Sequence, residues 1–542
     1  MALIAGAGKL WRYTRGLAEF WRNPYDPARS LAALQAAHAA REARFLAVMH
    51  DAIYTRAGSP YLWLLRTAGI EEGDLTQLVQ AEGIEGALQA LHRAGVYVTL
   101  AEFKGHTGLL RRGSQSRAIA PADWDNPLSS GHLEGRSGGS RSRGTVLHLD
   151  LGDAYDELPA RYLHLTAHGI ERWPFAFYRP ASSLATLRMI LTQVKLGCPM
   201  AGWFSPTEAG IGGAGGGSGM VFSWATLALS RLMGHGLVPP EYVPLHAPAR
   251  VVQWLAERTA AGESVVLYAM ANTGAILCTA ALASGADIHG HHLRTTAEPL
   301  TAAKAALYTR AGLTYSSAYG MTEAGGLGLS CGNPTVCDEM HLLDYRSALL
   351  PIPRAFPGHG EPVQALWASV FSRQSPRMML NVETCDYATF VQRSCGCALE
   401  AAGLTRRVHT VRSYEKLTSA GMNFLGGPLL EVLEEALPAR FGGGPGDYQM
   451  VEGEEDGLTR VRLVIHPRLG DLDADAVVAY TLEQLARRTR GGRMQAEMWR
   501  TSNTLGVERA EPYRTSGAKI QALHVEPPRE ESHSEEPRQG HH

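Results

Sequence analysis

The stretch Tyr319-Gly320-Met321-Thr322-Glu323-Ala324-Gly325 places an aromatic ring, a hydroxyl and a carboxylate within a few residues of one another. An apolar approach, Ala311 to Tyr315, delivers the chain to small residues, so the stretch reads as a strand running into a tight turn. Such a cluster suits a nucleotide. Tyr319 could lie flat on a purine, Thr322 could donate to a phosphate oxygen, and Glu323 could hold Mg²⁺, which takes few carboxylates plus phosphate oxygens. Upstream, Ser137-Gly138-Gly139-Ser140-Arg141-Ser142-Arg143-Gly144-Thr145 leads into the apolar strand Val146 to Leu149. Backbone N–H groups freed by glycine, with Ser and Arg donors, make an anion cradle there. Downstream stand Asp386 after Val382-Glu383-Thr384-Cys385, Arg412 opening Arg412-Ser413-Tyr414-Glu415-Lys416, and Lys519 in Arg514-Thr515-Ser516-Gly517-Ala518-Lys519-Ile520.

Taken in series, these five segments resemble the ordered signatures of the adenylate-forming superfamily, and among its branches the phenylacetate-CoA ligase-like group. The resemblance runs from about Ser59 to Val525. Tyr-Gly-Met-Thr-Glu is its most specific anchor. The phosphate loop departs from the family pattern, with Ser142 where Gly is expected and Gly144 where Pro is expected, while Arg141 and Arg143 add charge. Thr296-Ala297-Glu298-Pro299-Leu300 is similar to the family's Gly-Ala-Glu-Pro segment, whose backbone lies along the adenine. Asp386 matches the aspartate that grips the ribose hydroxyls, although Thr-Gly-Asp has become Thr-Cys-Asp. Lys519 matches the mobile lysine of the small C-terminal domain.

The fold so implied is α/β: a large multi-subdomain N-terminal adenylation domain with a small mobile α+β C-terminal domain. Its expected divisions are an N-terminal helical segment (1–95), the body of the large domain (96–413), a C-terminal lid (414–525) and a disordered tail (526–542). The expected nucleotide site combines Ser137, Gly139, Ser140, Arg141 and Thr145 with Ala297, Glu298 and Pro299. Tyr319, Gly320, Thr322, Asp386 and Arg412 complete it, with Lys519, Glu323 and Thr322 as the catalytic set.

Cysteine and histidine mark a second site. Cys395-Gly396-Cys397 puts two thiols on one turn, and Cys331, Cys337 and His341 lie just beyond the Glu323 turn. Zinc takes four tetrahedral N/S ligands, often in pairs from separate loops. The resemblance extends to phenylacetate-CoA ligase-like proteins that carry a Cys and a His after the Tyr-Gly-Met-Thr-Glu turn and a Cys-x-Cys before the Arg signature. By that pattern the zinc ligands would be Cys331, His341, Cys395 and Cys397, with Cys337 as a substitute. The alternative is a set of side chains that only fill the interior.

Length and charge bound the remainder. A chain of 542 residues exceeds one ordinary core. Lys+Arg 51 against Asp+Glu 53 gives a net charge of −2, so no global attraction to nucleic acid or anionic membrane follows. Seven cysteines in a long chain suit a reducing cytoplasm. Met1 to Gly8 is apolar but lacks a preceding positive region and is not read as a signal peptide. The uncharged run Ser264 to Ala286 reads as a buried strand, a turn at Asn272-Thr273-Gly274 and a core helix rather than a membrane span.

The run Gly210 to Gly219 contains a formal dinucleotide pattern, but its lead-in, Ser205-Pro206-Thr207-Glu208, reads as loop and no acidic strand end follows. Residues 20 to about 95 read as helical. The stretch from about 145 to 400 alternates strands and helices. The C-terminal part reads as helix Pro428 to Leu437, strand Arg460 to Ile465, helix Ala474 to Arg487 and strand Met494 to Arg500.

The expected activity is ATP-dependent, Mg²⁺-assisted activation of a carboxylic acid, aryl or arylacetic by resemblance, as acyl-AMP with release of pyrophosphate. Transfer to a thiol such as CoA follows, and the acid pocket is expected between about Trp203 and Asn272. The alternatives are an enzyme of secondary metabolism forming an amide or activating nitrite for diazotisation, and a non-catalytic nucleotide-binding protein. The expected partners are the small acid and ATP, with a homodimer left open.

Overall fold

The structure is a computed structural model that describes residues 2–131, 133–136, 146–181, 183–207, 218–245, 247–300, 302–354, 362–413, 429, 432–443, 447–455, 458–488, 490–513 and 523–526. The phosphate loop Ser137 to Thr145, the glycine-rich run up to Gly217, the segment Tyr414-Glu415-Lys416, Lys519 and the tail from Pro527 lie outside the described residues.

Helices fill the N-terminal part: Ala2–Arg22, Ser30–Ala39, Arg41–Met49, Pro60–Thr67 and Glu72–Arg93. The first begins well before residue 20, where the helical reading began. Two hairpins follow, β1 (Leu109–Arg112) with β2 (Gln115–Ala118) and β3 (Leu133–Arg136) with β4 (Val146–Leu149). The main sheet contains β5 (Phe175–Tyr178), β6 (Met200–Ser205), β7 (Glu241–Tyr242), β8 (Val266–Met270), β9 (His292–Thr296) and β10 (Thr314–Met321). It continues with β11 (Gly325–Ser330), β12 (Met340–Leu342), β13 (Ser347–Arg354), β14 (Val363–Val370), β15 (Met379–Val391) and β16 (Arg407–Ser413).

The spatial order is β7-β6-β5-β8-β9-β10-β11-β12-β16-β15-β14-β13. The strands from β7 to β10 run parallel, and every pairing from β10 onward is antiparallel. The parallel half explains its own sequence: Phe-Ala-Phe-Tyr in β5 and Val-Leu-Tyr-Ala-Met in β8 are buried at every position, as strands covered by helices on both faces must be. From β5 the chain passes to β6 on one side and later returns to β8 on the other. That reversal opens a crevice at the carboxyl ends of the strands. The antiparallel half packs against the N-terminal helices through Phe45, Val48, Leu88, Leu366 and Val382.

Three local readings differ from what forms. Asn272-Thr273-Gly274 is not a turn: it lies in the first turn of the helix Ala271–Ser284, where unpaired N–H groups are the rule and breakers cost little. Gly274 is needed there, because a Cβ would collide with Leu293 of β9 and lie 3.2 Å from the Tyr308 hydroxyl. Met494 to Arg500 is not a strand but part of the helix Arg490–Ser502, whose buried Ala496, Met498 and Trp499 fit helical spacing. Ser205 ends a strand, β6, so the glycine-rich run does follow a strand; Glu241 on β7 is nevertheless engaged by Arg250 at 2.9 Å.

After residue 428 the described chain builds a second, α+β unit. Strands β17 (Tyr448–Glu455), β18 (Leu458–Ile465), β19 (Leu505–Arg509) and β20 (Leu523–Val525) lie in the order β19-β18-β17-β20, with helices Ala474–Arg488 and Arg490–Ser502. Met450, Val461, Leu463, Leu482 and Trp499 are buried in a hydrophobic cluster that also includes Leu277 and Leu293. No helix among the described residues is long and apolar enough to cross a membrane.

Candidate active site and metal centre

The parallel strands end in register. Met270 and Ala318 both pair with Thr296, so Ala271, the Ala297-Glu298-Pro299 loop and Tyr319 leave the sheet side by side at its carboxyl edge. Ala297 takes a φ of 74°, unusual for a residue with a side chain. From Tyr319 the chain enters a hairpin with β11, pairing Gly320 with Gly326 and Met321 with Gly325, and reverses over Thr322-Glu323-Ala324. Glycine at 320 is dictated by that close approach, since a Cβ would sit 2.6 Å from the Gly325 carbonyl oxygen.

Two of the sequence candidates meet directly. The Tyr319 hydroxyl donates to Asp386 Oδ2 at 2.8 Å. Burial, reinforced by the Asp386 charge, holds the phenol well above its usual pKa, so it is a proton donor at neutral pH. On the neighbouring strand Arg412 turns elsewhere: its Nη1 donates to Asp338 Oδ2 at 2.9 Å and its Nη2 to the Leu300 carbonyl at 3.5 Å. Arg412 is thereby tied to the end of the Ala297-to-Leu300 loop. Asp338, which also accepts from the Thr410 N–H at 3.1 Å, carried no sequence signal.

Glu323 is buried, only 4% exposed, rather than displayed on an open turn. Its Oε1 is paired with the Lys104 ammonium, and its carbonyl accepts from the Arg377 N–H at 3.2 Å. Burial pulls the Arg377 guanidinium below its ordinary value while Asp125 and Glu323 oppose the shift. Neither Lys104 nor Arg377 stood out in the sequence, because each is a lone cation in an otherwise ordinary segment. Thr322, beside Glu323, is half-buried.

Arg179, immediately after β5, is 6% exposed, and its Nε and Nη1 have no hydrogen-bond partner among the described residues. Burial lowers it to about 10, with Glu298 opposing and Arg294 reinforcing the shift, so it stays cationic at neutral pH. Arg294 on β9 is 2% exposed; its Nε donates to His164 Nε2 at 3.2 Å, and its guanidinium stands 5.1 Å over the Tyr268 ring.

The cysteine candidates converge at the other end of the hairpin. Ligand atoms of Cys331, His341, Cys395 and Cys397 all lie within 4.8 Å of one another. Cys331 follows β11, His341 lies on β12, and Cys395 and Cys397 flank Gly396 with φ 68°. His341 Nε2 faces Cys397 Sγ at 3.2 Å and Cys395 Sγ at 3.5 Å, while Nδ1 is held by the Leu404 carbonyl at 2.6 Å. A metal-binding imidazole is oriented in this way, with one nitrogen fixed by an acceptor and the other aimed at the ion. Hydrogen bonds from Cys331 and then His341 pull the Cys397 thiol far below its ordinary value, which favours the thiolate that zinc takes. Cys337 stands apart, with Sγ 3.9 Å from the Leu300 carbonyl.

No family model and no curated protein matches the sequence. Solved structures do. A 2-hydroxyisobutyryl-CoA ligase, in complex with 2-HIB-AMP and CoA in the thioesterification state, is 15% identical, with 90% of this chain and 89% of that chain covered and a TM-score of 0.51. The O-succinylbenzoate coenzyme A synthetase of Bacillus subtilis, in complex with ATP and magnesium, is 11% identical over 72% of this chain and 69% of that chain, with a TM-score of 0.33. A fatty acyl-adenylate ligase from L. pneumophila is 10% identical over 79% and 70%, with a TM-score of 0.36. The first of these likenesses carries the conclusion: over about nine-tenths of its length the chain has the mixed α/β fold of an AMP-forming acyl-CoA ligase.

Proposed function

We propose that this protein activates a carboxylic acid with ATP as an acyl-AMP, releases pyrophosphate, and transfers the acyl group to a thiol such as CoA. The observation that carries the reading is the pairing of Tyr319 with Asp386 at 2.8 Å beside the Glu323 hairpin, at the carboxyl edge of the parallel strands. Ligands of open α/β sheets bind at that edge.

A carboxylate attacking the α-phosphate brings anion towards anion, so the site must neutralise charge and hold the nucleophile in line. Asp386 accepts the ribose hydroxyls, and Tyr319, fixed by Asp386, presents its ring to the purine. The Ala297-Glu298-Pro299 backbone lies along the adenine edge. Thr322 and the Ser137-to-Thr145 segment, with Gly139, Ser140 and Arg141, hold the phosphates. Glu323 fits a hard cation by its donor chemistry, a buried carboxylate already matched to a positive charge in Lys104. Glu323 would hold Mg²⁺, and the ion would supply positive charge to the phosphates. Lys519, carried by the C-terminal unit from residue 414 onward, bridges the attacking oxygen and the α-phosphate. Rotation about Tyr414-Glu415-Lys416 then replaces it by the thiol path.

The reading also includes structural zinc on Cys331, His341, Cys395 and Cys397. What supports it is the donor set itself, three sulfurs and one oriented imidazole within 4.8 Å. Pyrophosphate release measured across a panel of acids, with and without CoA or nitrite, tests the function. Release that requires an acid and becomes catalytic with CoA supports it; release driven by nitrite alone, or none with any acid, overturns it.

A further inference from the structure

Arg179 is a buried cation whose Nε and Nη1 donors meet no hydrogen-bond acceptor among the described residues, and this is costly. A guanidinium removed from water is retained only when an anion or a set of acceptors meets it, yet the Nε and Nη1 donors of Arg179 meet none among the described residues. Glu298 is the acid whose charge it feels, and Nε and Nη1 remain without an acceptor beside it. Arg294, a second buried guanidinium, adds to the positive potential; its Nε donates to His164, and Tyr268 and the Glu157 carboxylate offset part of its charge.

The position of Arg179 decides what it waits for. It leaves the carboxyl end of β5 at the reversal of strand order, between β6 with Trp203 and β8 with Met270, the segment assigned above to the acid pocket. From β5 to β10, after which Thr322 is assigned to the phosphates, lie three strand spacings of ~4.8 Å each, about 14 Å in all. The carboxylate that attacks phosphorus belongs near β10. A second anionic group, at the other end of the same molecule, belongs near β5.

We infer, on the basis of the function proposed above, that the acid substrate carries a second carboxylate remote from the reacting one, and that Arg179 receives it. A carboxylate oxygen accepts a charge-assisted hydrogen bond from a guanidinium N–H, so a carboxylate beside Arg179 would satisfy donors that are otherwise unmet. An apolar tail in the same place leaves those donors unpaired, and a site built for a polar group rejects the analogue lacking it far more strongly than an apolar pocket rejects an extra methylene. The substrate class is therefore a dicarboxylic acid, and Arg179 determines the specificity.

The test compares butyrate, hexanoate and phenylacetate with glutarate, adipate and 4-carboxyphenylacetate in pyrophosphate release by the wild-type chain, Arg179→Met and Arg179→Lys. The expected wild-type result is a preference of at least about 100-fold in kcat/KM for a diacid over its monoacid counterpart. Arg179→Met should erase that preference, chiefly through KM for the diacid, and leave KM for ATP within about threefold. Arg179→Lys, which keeps the charge but not the fork, should fall between and shows that the site still folds. A wild-type preference for monoacids overturns the inference. So does equal loss on monoacids and diacids in Arg179→Met, or a loss confined to ATP.

If no acid releases pyrophosphate, the proposed function falls, and the inference is decided by thermal shift with the same acids. Stabilisation by diacids that disappears in Arg179→Met sustains it, and stabilisation that is absent or unchanged overturns it.

Discussion

The hydroxyl of Tyr319 on β10 donates to the carboxylate of Asp386 on β15, although β11, β12 and β16 lie between these strands in the sheet. A 2.8 Å contact across that gap requires the antiparallel half to curl back over the carboxyl edge of the parallel half. The curl turns a flat edge into a walled site. Tyr319→Phe should remove the fastening and keep the ring. The expected outcome is a rise of about tenfold in KM for ATP, a modest change in kcat, and a loss of about 1 kcal/mol in stability by urea titration. Unchanged KM for ATP would detach the pair from nucleotide binding.

Glu323→Gln should abolish Mg²⁺-dependent pyrophosphate formation, lowering kcat by at least about 100-fold. Because Glu323 is buried against Lys104, the substitution also strands an ammonium, and a loss of about 3 kcal/mol is expected. The double variant Glu323→Gln/Lys104→Met should recover much of that stability and none of the activity. Activity that returns together with stability would make Glu323 a structural residue.

Protein purified without a metal-affinity resin should carry about one zinc per chain. Cys397→Ser should lower the zinc content and the thermal midpoint together, as when binding free energy is folding free energy, whereas Cys337→Ser should change neither. Full activity and an unaltered midpoint in a strong chelator, with no zinc by elemental analysis, would leave the four residues as interior packing.

Lys519→Ala should cripple adenylate formation by orders of magnitude while ATP still binds, since the residues assigned to the nucleotide belong to the large domain. Supplied with a synthetic acyl-AMP and CoA, the variant should still form the thioester. Equal loss in both half-reactions would contradict alternation of the C-terminal unit, and no loss in either would remove Lys519 from the chemistry.

What was legible in the sequence was local. The Tyr319-to-Gly325 hairpin follows from an apolar strand ending in small residues, and the four zinc candidates stand out because thiols and imidazoles are few. What was not legible was contact at long range. Lys104 meets a carboxylate 219 residues away and Asp338 meets Arg412 74 residues away, and a solitary Lys or Asp carries no pattern that names its partner. Arg179 was invisible for a further reason: what distinguishes it is two donors that meet no acceptor among the described residues, which only a packed interior reveals. Where local pattern misled, two periods or two propensities competed. Met494, Ala496 and Met498 alternate like a strand, but Trp499 completes a helical face. Asn272 to Gly274 reads as a breaker, yet the first turn of a helix tolerates such residues.

Ala297 bends through the left-handed region although it carries a methyl group, a conformation that costs an L-residue about 1–2 kcal/mol. Its neighbours impose the shape: β9 fixes where the loop starts, and the Arg412 bond to the Leu300 carbonyl fixes where it ends. The loop is thus a rail held at both ends. Ala297→Gly would relieve the backbone but soften the rail, so the same exchange that helps thermal endurance would loosen the grip on whatever lies along it. For anyone recasting this scaffold towards other acids, the rail is the part to leave alone, and the β5 end of the crevice is the part to carve.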